Sequence, residues 1–236
     1  MSRFVRPSPL AWLFFLGAFA TTVGLGTWQV QRLQWKEGLT AEIEAAKQHA
    51  PLTLKDLPKD EAEWKAKNFW PVKLTGTWDH SIEYHIGTRY YKSQRGYHVV
   101  QPLILPDKRI ILVNRGWIPM EKKDIGTRPR GIGVGRGTVK GIIRYGSDRT
   151  RLTPPNSPEK NFWFDRDVQE MADFYQLKNV LPVTVDAVGS QDAKTLPVPS
   201  DGNIKIYNQH LSYILTWYGI ALGVLVIFIL SHRKKA

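Results

Sequence analysis

His210 stands where the sequence changes from polar to apolar, near the start of the run NQHLSYILTWYGIALG (residues 208–223). If this run is a helix, Tyr213 and Trp217 follow His210 by three and seven residues and share its face. An ionisable residue beside a membrane-spanning segment is by default a candidate functional residue. His210 is therefore either a ligand at the bilayer surface or only a polar residue that lies at the lipid–water boundary.

A second polar group lies in the run GTWQVQRLQWKEGL (residues 26–39). On a continuing helix, Trp28, Arg32 and Trp35 occupy positions i, i+4 and i+7, and so they share one face. That face would hold a cation between two flat rings at the membrane surface, an arrangement suited to a planar anionic amphiphile. Each tryptophan by itself is also explained by the aromatic belt of membrane proteins.

Two apolar runs must position these residues. Residues 7–31 and 211–231 contain no Asp, Glu, Lys, Arg or His, and a membrane span needs about 20 mostly apolar residues. We therefore predict two transmembrane helices that flank one large domain. The predicted division is a tail (1–9), transmembrane helix 1 (10–28), the domain (29–209), transmembrane helix 2 (211–230) and a second tail (231–236).

Small residues occur four apart in both predicted spans, at Ala20 and Gly24 and at Gly219 and Gly223. Such pairs allow two helix backbones to approach each other closely. We expect the two helices to pack together through these residues.

Both predicted tails are basic, which by the positive-inside rule places both termini in the cytoplasm and the domain outside. The basic residues of the tails are Arg3, Arg6, Arg233, Lys234 and Lys235. A rival interpretation takes the first apolar run as a cleaved signal sequence, since Ala18-Phe19-Ala20 resembles a cleavage site. The apolar run continues beyond Ala20 to Gly26, which favours an uncleaved anchor.

The formal net charge of the chain is +12. A basic domain tied to a membrane most simply meets anionic lipid headgroups of the bilayer. The two spans, together with the lack of a long basic helix in the sequence, argue against a nucleic-acid partner. The sequence has no cysteine, which excludes disulfides, thiolate metal sites and a cysteine nucleophile.

The central region has the alternation and composition of β-strands. Six strands are predicted, with helices at 32–49 and from Asp167 through Leu177, and with Pro106-Asp107-Lys108 as the turn of a hairpin. The predicted strands cover residues 70–78, 82–86, 97–105, 109–118, 136–145 and 180–188. The expected fold is a membrane protein in which a β-rich α+β extracytoplasmic domain, an antiparallel sheet with one or two helices, lies between two transmembrane helices.

No catalytic constellation is evident in the sequence. The glycine-rich run 131–137 lacks the sixth-position glycine of the dinucleotide fingerprint in every register. His80 and His85 are five residues apart across the start of a strand, so we expect them to point to opposite faces. These patterns favour a protein that is not an enzyme.

Several stretches together resemble the Surfeit-locus family of cytochrome oxidase assembly factors. They are LGTWQVQRLQWKEGL (25–39), ILVNRGWIP (111–119), PPNSPEKNFWFDRDVQEMA (154–172) and NQHLSYILTWYG (208–219). The resemblance implies a bacterial inner-membrane protein with both termini cytoplasmic and a periplasmic domain. It implies assistance in delivering haem A to the core subunit of a haem–copper oxidase, with haem A synthase as a possible second partner, and it implies no catalytic activity.

The resemblance places His210 at the position of the axial ligand of haem iron. Around it, Tyr213 and Trp217 would pack against the porphyrin, and Arg32 would meet a propionate beside Trp28. These four assignments depend on spacing and chemistry, whereas that of His210 depends on the motif position.

Two other functions stay open at this point. In the first, the protein stabilises an oxidase assembly intermediate without touching haem, and NRGWI and the loop of Asn156 to Asn161 are contact or folding elements. In the second, it is a periplasmic hydrolase on a membrane tether, for which the sequence offers no set of catalytic residues.

Overall fold

A computed structural model describes residues 5–128, 135–147, 149–190, 195–204 and 206–233. Most of the glycine-rich run 131–137 and the tail residues Arg3, Lys234 and Lys235 lie outside these ranges. The chain forms two compact units, one of residues 1–42 with 205–236 and the other of residues 43–204.

The first unit is built from two long helices, α1 (Pro9–Lys47) and α4 (His210–Ser231). Helix α1 joins the predicted span and most of the predicted helix 32–49 in one continuous element that ends at Lys47, with Gly38 inside it. The most apolar windows of α1 and α4 reach mean hydropathies of 1.6 and 2.3, and few of their residues are buried. Both helices are therefore long and apolar enough to cross a membrane.

Aromatic rings and one glycine form the contact between α1 and α4. Phe15 stacks on Phe228 with ring centroids 4.1 Å apart. A Cβ added to Gly26 would lie 3.0 Å from the ring of Tyr218, so this glycine lets the tyrosine lie against the α1 backbone. Ala221, on the same face of α4, is 4% exposed.

The predicted small-residue pairs do not make this contact. A Cβ built on Gly24, Gly219 or Gly223 would meet no atom within 4 Å. The prediction was wrong because the spacing of small residues does not fix which face of a helix meets its neighbour, and here the large aromatic rings decide it.

Within its described residues, the second unit contains six strands and two short α-helices. The strands pair in the order β1-β5-β6-β4-β3-β2, and β1 also pairs with β3 through Thr77 and Trp78, which closes five strands into a barrel. The bounds are β1 (Pro71–Trp78), β2 (Tyr84–Tyr91), β3 (Gln94–Ile104), β4 (Ile110–Pro119), β5 (Arg136–Tyr145), β6 (Val180–Ala187), α2 (Glu61–Ala66) and α3 (Val168–Phe174).

The predicted fold class is confirmed, since two apolar helices flank a β-rich domain, but one strand pair differs from the expected antiparallel sheet. Strands β4 and β6 are parallel, with Ile110 opposite Val180. Strands β4 and β5 run in opposite directions and β6 lies between them, antiparallel to β5. A strand inserted between two antiparallel neighbours must run parallel to one of them, so the sheet is mixed.

The core of the second unit has two main parts. One part includes Leu103, Ile111 and Ile143, which are fully buried among inward-facing strand residues. The other lies beneath α3, where the Tyr84 hydroxyl donates to the carbonyl oxygen of Met171 at 2.7 Å. Burial of these side chains provides most of the stability of such a small domain.

Candidate functional site

His210 is the first residue of α4, and its imidazole meets a side chain of α1. Its Nδ1 lies 2.5 Å from Oε1 of Gln29, and Gln29 is only 8% exposed. The backbone N–H of His210 donates to Oδ1 of Asn208 at 3.2 Å, which occupies one of the free donors at the helix start. His210 is therefore held by its backbone N–H and by Nδ1 of its ring, and the residue is partly buried.

Two cations of α1 lie close enough to His210 for their charges to act on it, namely Arg32 and Lys36. The Arg32 guanidinium lies over the Trp35 ring, 4.3 Å from its centroid. The Lys36 ammonium donates to the carbonyl oxygen of Tyr207, just before α4 begins. This end of the helix pair thus combines one imidazole, one amide and two positive charges.

Of the predicted site residues, the structure brings His210 and Arg32 to this corner. Trp28 and Tyr213 are each 50% exposed. Trp217 is half-buried and shares the face of Ala221. Of the predicted cation between two rings, the structure shows Arg32 over Trp35. The Trp28 ring is directed outward.

Sequence reasoning missed Gln29 and Lys36. With Arg32 they occupy positions i, i+3 and i+7 of α1, which is a polar stripe on one helix face. The sequence feature that could have pointed to Gln29 was a glutamine near the end of an otherwise apolar run. It becomes meaningful only when α4 is placed against α1, because the partner of Gln29 is 181 residues away.

The NRGWI stretch of β4 serves the fold. The Asn114 amide donates to Oδ1 of Asp186 at 2.7 Å, and its Oδ1 accepts from the N–H of Gly116 at 3.1 Å. Gly116 has φ +125°, and a Cβ there would lie 1.9 Å from the carbonyl oxygen of Val198. Trp117 then exchanges two 2.8 Å backbone hydrogen bonds with Val198.

The loop between Asn156 and Asn161 is also a folding element. Asn161 has φ +45°, and its amide donates to the Glu83 carbonyl oxygen at 2.6 Å and accepts from the His85 N–H at 3.2 Å. Oδ1 of Asn156 accepts from the backbone N–H of Phe164 at 2.8 Å. These bonds attach the loop to β2, because buried backbone groups need partners.

Next to this loop, His80 and His85 line one cavity of about 510 Å³. The prediction that they point to opposite faces was wrong, because His80 precedes β2 and lies in a turn, outside the strand alternation. His85 and Arg128 both bond to the Glu83 carboxylate. Burial opposes ionisation of Glu83, but these two bonds hold its pKa below the usual value.

This cluster is an internal ion pair and does not have the composition of a metal centre. Among the described residues, no group of three or more His, Cys, Asp or Glu side chains could hold a metal ion. The corner around His210 is therefore the candidate site, since it has an accessible imidazole and two nearby cations.

Comparisons with known proteins match most of this chain. The model of the SURF1 family matches residues 16–222. Surfeit locus protein 1 of Mus musculus is 37% identical over 226 residues, which is 89% of this chain and 72% of the mouse protein. Surfeit locus protein 1 of Homo sapiens is 34% identical over 228 residues, 90% of this chain and 74% of the human protein.

A SURF1-like protein of Monosiga brevicollis is 34% identical over 241 residues, 97% of this chain and 90% of that protein. The family match, residues 16–222, extends from the first helix through the barrel to the last helix and includes both Gln29 and His210. This chain belongs to the SURF1 family.

Proposed function

We propose that this protein is an assembly factor for a haem–copper terminal oxidase, cytochrome c oxidase, and that it holds haem A for delivery to the core subunit. The observation that carries the proposal is the bond between His210 Nδ1 and Gln29 Oε1. An amide oxygen only accepts hydrogen bonds, so this bond forms when Nδ1 carries the proton. In a neutral imidazole this leaves the lone pair on Nε2, the form that binds iron.

The charges and rings around His210 suit the other parts of haem A. Arg32 and Lys36 are placed to attract the propionates, and Trp28 and Tyr213 expose flat faces beside them. Trp217 would pack against the porphyrin deeper along α4, and the apolar tail of haem would lie in lipid. A site on the outer surface of two helices suits a carrier, because the bound group must leave again.

The two apolar helices support the membrane setting of the proposal. Residues 10–28 and 211–230 would lie in the bacterial inner membrane, with both termini in the cytoplasm and the barrel in the periplasm. The partners are then the core subunit of the oxidase, possibly haem A synthase, and the lipid bilayer, with no nucleic acid. No catalytic role is proposed for any residue.

The second candidate is a protein that stabilises an oxidase assembly intermediate without binding haem. It is favoured by the finding that NRGWI and the Asn156 to Asn161 loop serve the fold of the barrel, which leaves the barrel surface as the part that meets a partner. In that case His210 and Gln29 only join the two helices.

The test is to purify the full chain from cells that make haem A and to record its optical spectrum. Wild type should carry haem, and His210→Ala should lose most of it. His232→Ala, at the other end of α4, is the matched control and should retain it. The haem proposal is rejected if wild type carries no haem, or if His210→Ala carries as much as wild type.

Two further results sharpen the test. Arg32→Ala should weaken haem retention less than His210→Ala, because it removes a charge and leaves the iron ligand in place. If His210→Ala loses haem but oxidase assembly in cells is unchanged, haem binding is not the working function and the second candidate is favoured.

A further inference from the structure

The structure gives Gln29 a function of its own. Gln29 is a polar residue of helix α1, on the side of the candidate site that faces His210, and it is 8% exposed. A buried glutamine beside lipid is costly unless its amide finds a partner. Its side chain meets the His210 ring across the helix pair at 2.5 Å.

We infer that Gln29 is the positioning residue of His210, fixing which ring nitrogen is free to bind iron. The inference depends on the proposed haem function. In metal sites, a ligating histidine almost always donates its other N–H to an acceptor that fixes ring orientation and tautomer. The Gln29 amide oxygen occupies the position of such an acceptor, 2.5 Å from Nδ1 of His210.

The bond also fixes the direction of the ring. His210 is held by its backbone at Asn208 and by its Nδ1 at Gln29. Among the described residues, no side chain is bonded to Nε2, the nitrogen on the opposite side of the ring. Because the residue is tied at its backbone and at Nδ1, the orientation of the ring is fixed, and with it the direction of the Nε2 lone pair.

Two exposed glutamines provide matched controls. Gln31 and Gln34 lie on the same helix, within five residues of Gln29, and both are exposed. Gln31→Leu changes composition and hydrophobicity in the same way as Gln29→Leu but leaves the His210 contact intact. Gln29→Glu keeps an acceptor oxygen at the position and serves as the conservative variant.

The first measurement uses the haem-free full chain in detergent, with histidines labelled with ¹⁵N. The chain has six histidines, so the His210 signals are identified by their loss in His210→Ala. Wild type and Gln31→Leu should show a protonated Nδ1 and an unprotonated Nε2 at His210. Gln29→Leu should lose this preference, and Gln29→Glu should keep it.

The second measurement is haem A affinity, followed by absorbance as haem A is added in steps to each purified variant. Gln29→Leu should bind about tenfold more weakly than wild type, because loss of such an outer partner typically costs 10–100-fold in metal affinity. Gln31→Leu should bind as wild type does, and Gln29→Glu should recover most of the affinity.

The outcomes separate the two proposals. A wild-type His210 with its proton on Nε2, or a Gln29→Leu variant with unchanged spectrum and affinity, overturns the role of Gln29 whatever happens to haem. If the wild-type spectrum is as expected but no haem binds, the haem function fails and the pairing stands. The wild-type spectrum decides the inference even if Gln29→Leu does not fold.

Discussion

Replacing Gly116 by alanine should strongly destabilise the barrel, although the change adds one methyl group. Gly116 has φ +125°, a region that residues with a Cβ rarely adopt. The added Cβ would lie 1.9 Å from the carbonyl oxygen of Val198, far inside van der Waals contact. The chain must therefore change its backbone at Gly116 or release the segment that contains Val198.

Two contributions set the magnitude. A non-glycine residue held in a rare backbone region costs about 1–3 kcal/mol. Separation of the two segments would break the two 2.8 Å backbone hydrogen bonds between Trp117 and Val198, each of which contributes about 0.5–1.5 kcal/mol. We expect Gly116→Ala to lower the free energy of unfolding by about 2–6 kcal/mol.

The assay is urea unfolding of the full chain in detergent, followed by tryptophan fluorescence. Gly146→Ala is the matched control, because Gly146 has φ +79° but a Cβ there meets no atom within 4 Å. It should cost only about 1 kcal/mol. If Gly116→Ala costs no more than Gly146→Ala, the close approach of Val198 is not what requires this glycine, and the reasoning is refuted.

Three other results are expected. Asn161→Ala removes the bond to the Glu83 carbonyl oxygen and strains a residue at φ +45°, so the free energy of unfolding measured in urea should fall by about 3 kcal/mol. Burial, together with the charge of Arg89, lowers the pKa of His98 to about 4 from 6.5. Between pH 6.5 and 4 the unfolded chain therefore binds a proton at His98 while the folded chain does not. The free energy of unfolding should fall by about 3 kcal/mol as the pH is lowered through that window, and the plot of Tm against pH should be flatter in His98→Gln. Gly38→Ala places a methyl group in open space inside helix α1, and it should slow amide hydrogen exchange around this residue, corresponding to about 0.5–1 kcal/mol of added helix stability.

The strands were predictable where the alternation of side chains is strong. Strand β5 lies at residues 136–145 as predicted, and Pro106-Asp107-Lys108 does connect β3 and β4. Strand β2 was predicted too short, because its hairpin turns at Lys92 and Ser93. Both residues have positive φ, a conformation usually signalled by asparagine or glycine.

The sequence by itself determined the two apolar helices, the β-rich domain between them and the position of His210 at the start of the second helix. These features depend on hydrophobic length and local periodicity, which act over a few residues at a time. The family resemblance likewise needed only short stretches in order along the chain.

Only the tertiary structure decided which groups meet. Gln29 and His210 are distant in sequence, and the parallel pairing of β4 with β6 follows from where β6 is inserted. The sequence left open whether the NRGWI stretch is a contact or a folding element. In the structure its asparagine bonds to Asp186 and its glycine lies against Val198, both on other segments. Contacts of this kind depend on packing across the whole fold, so local patterns cannot specify them.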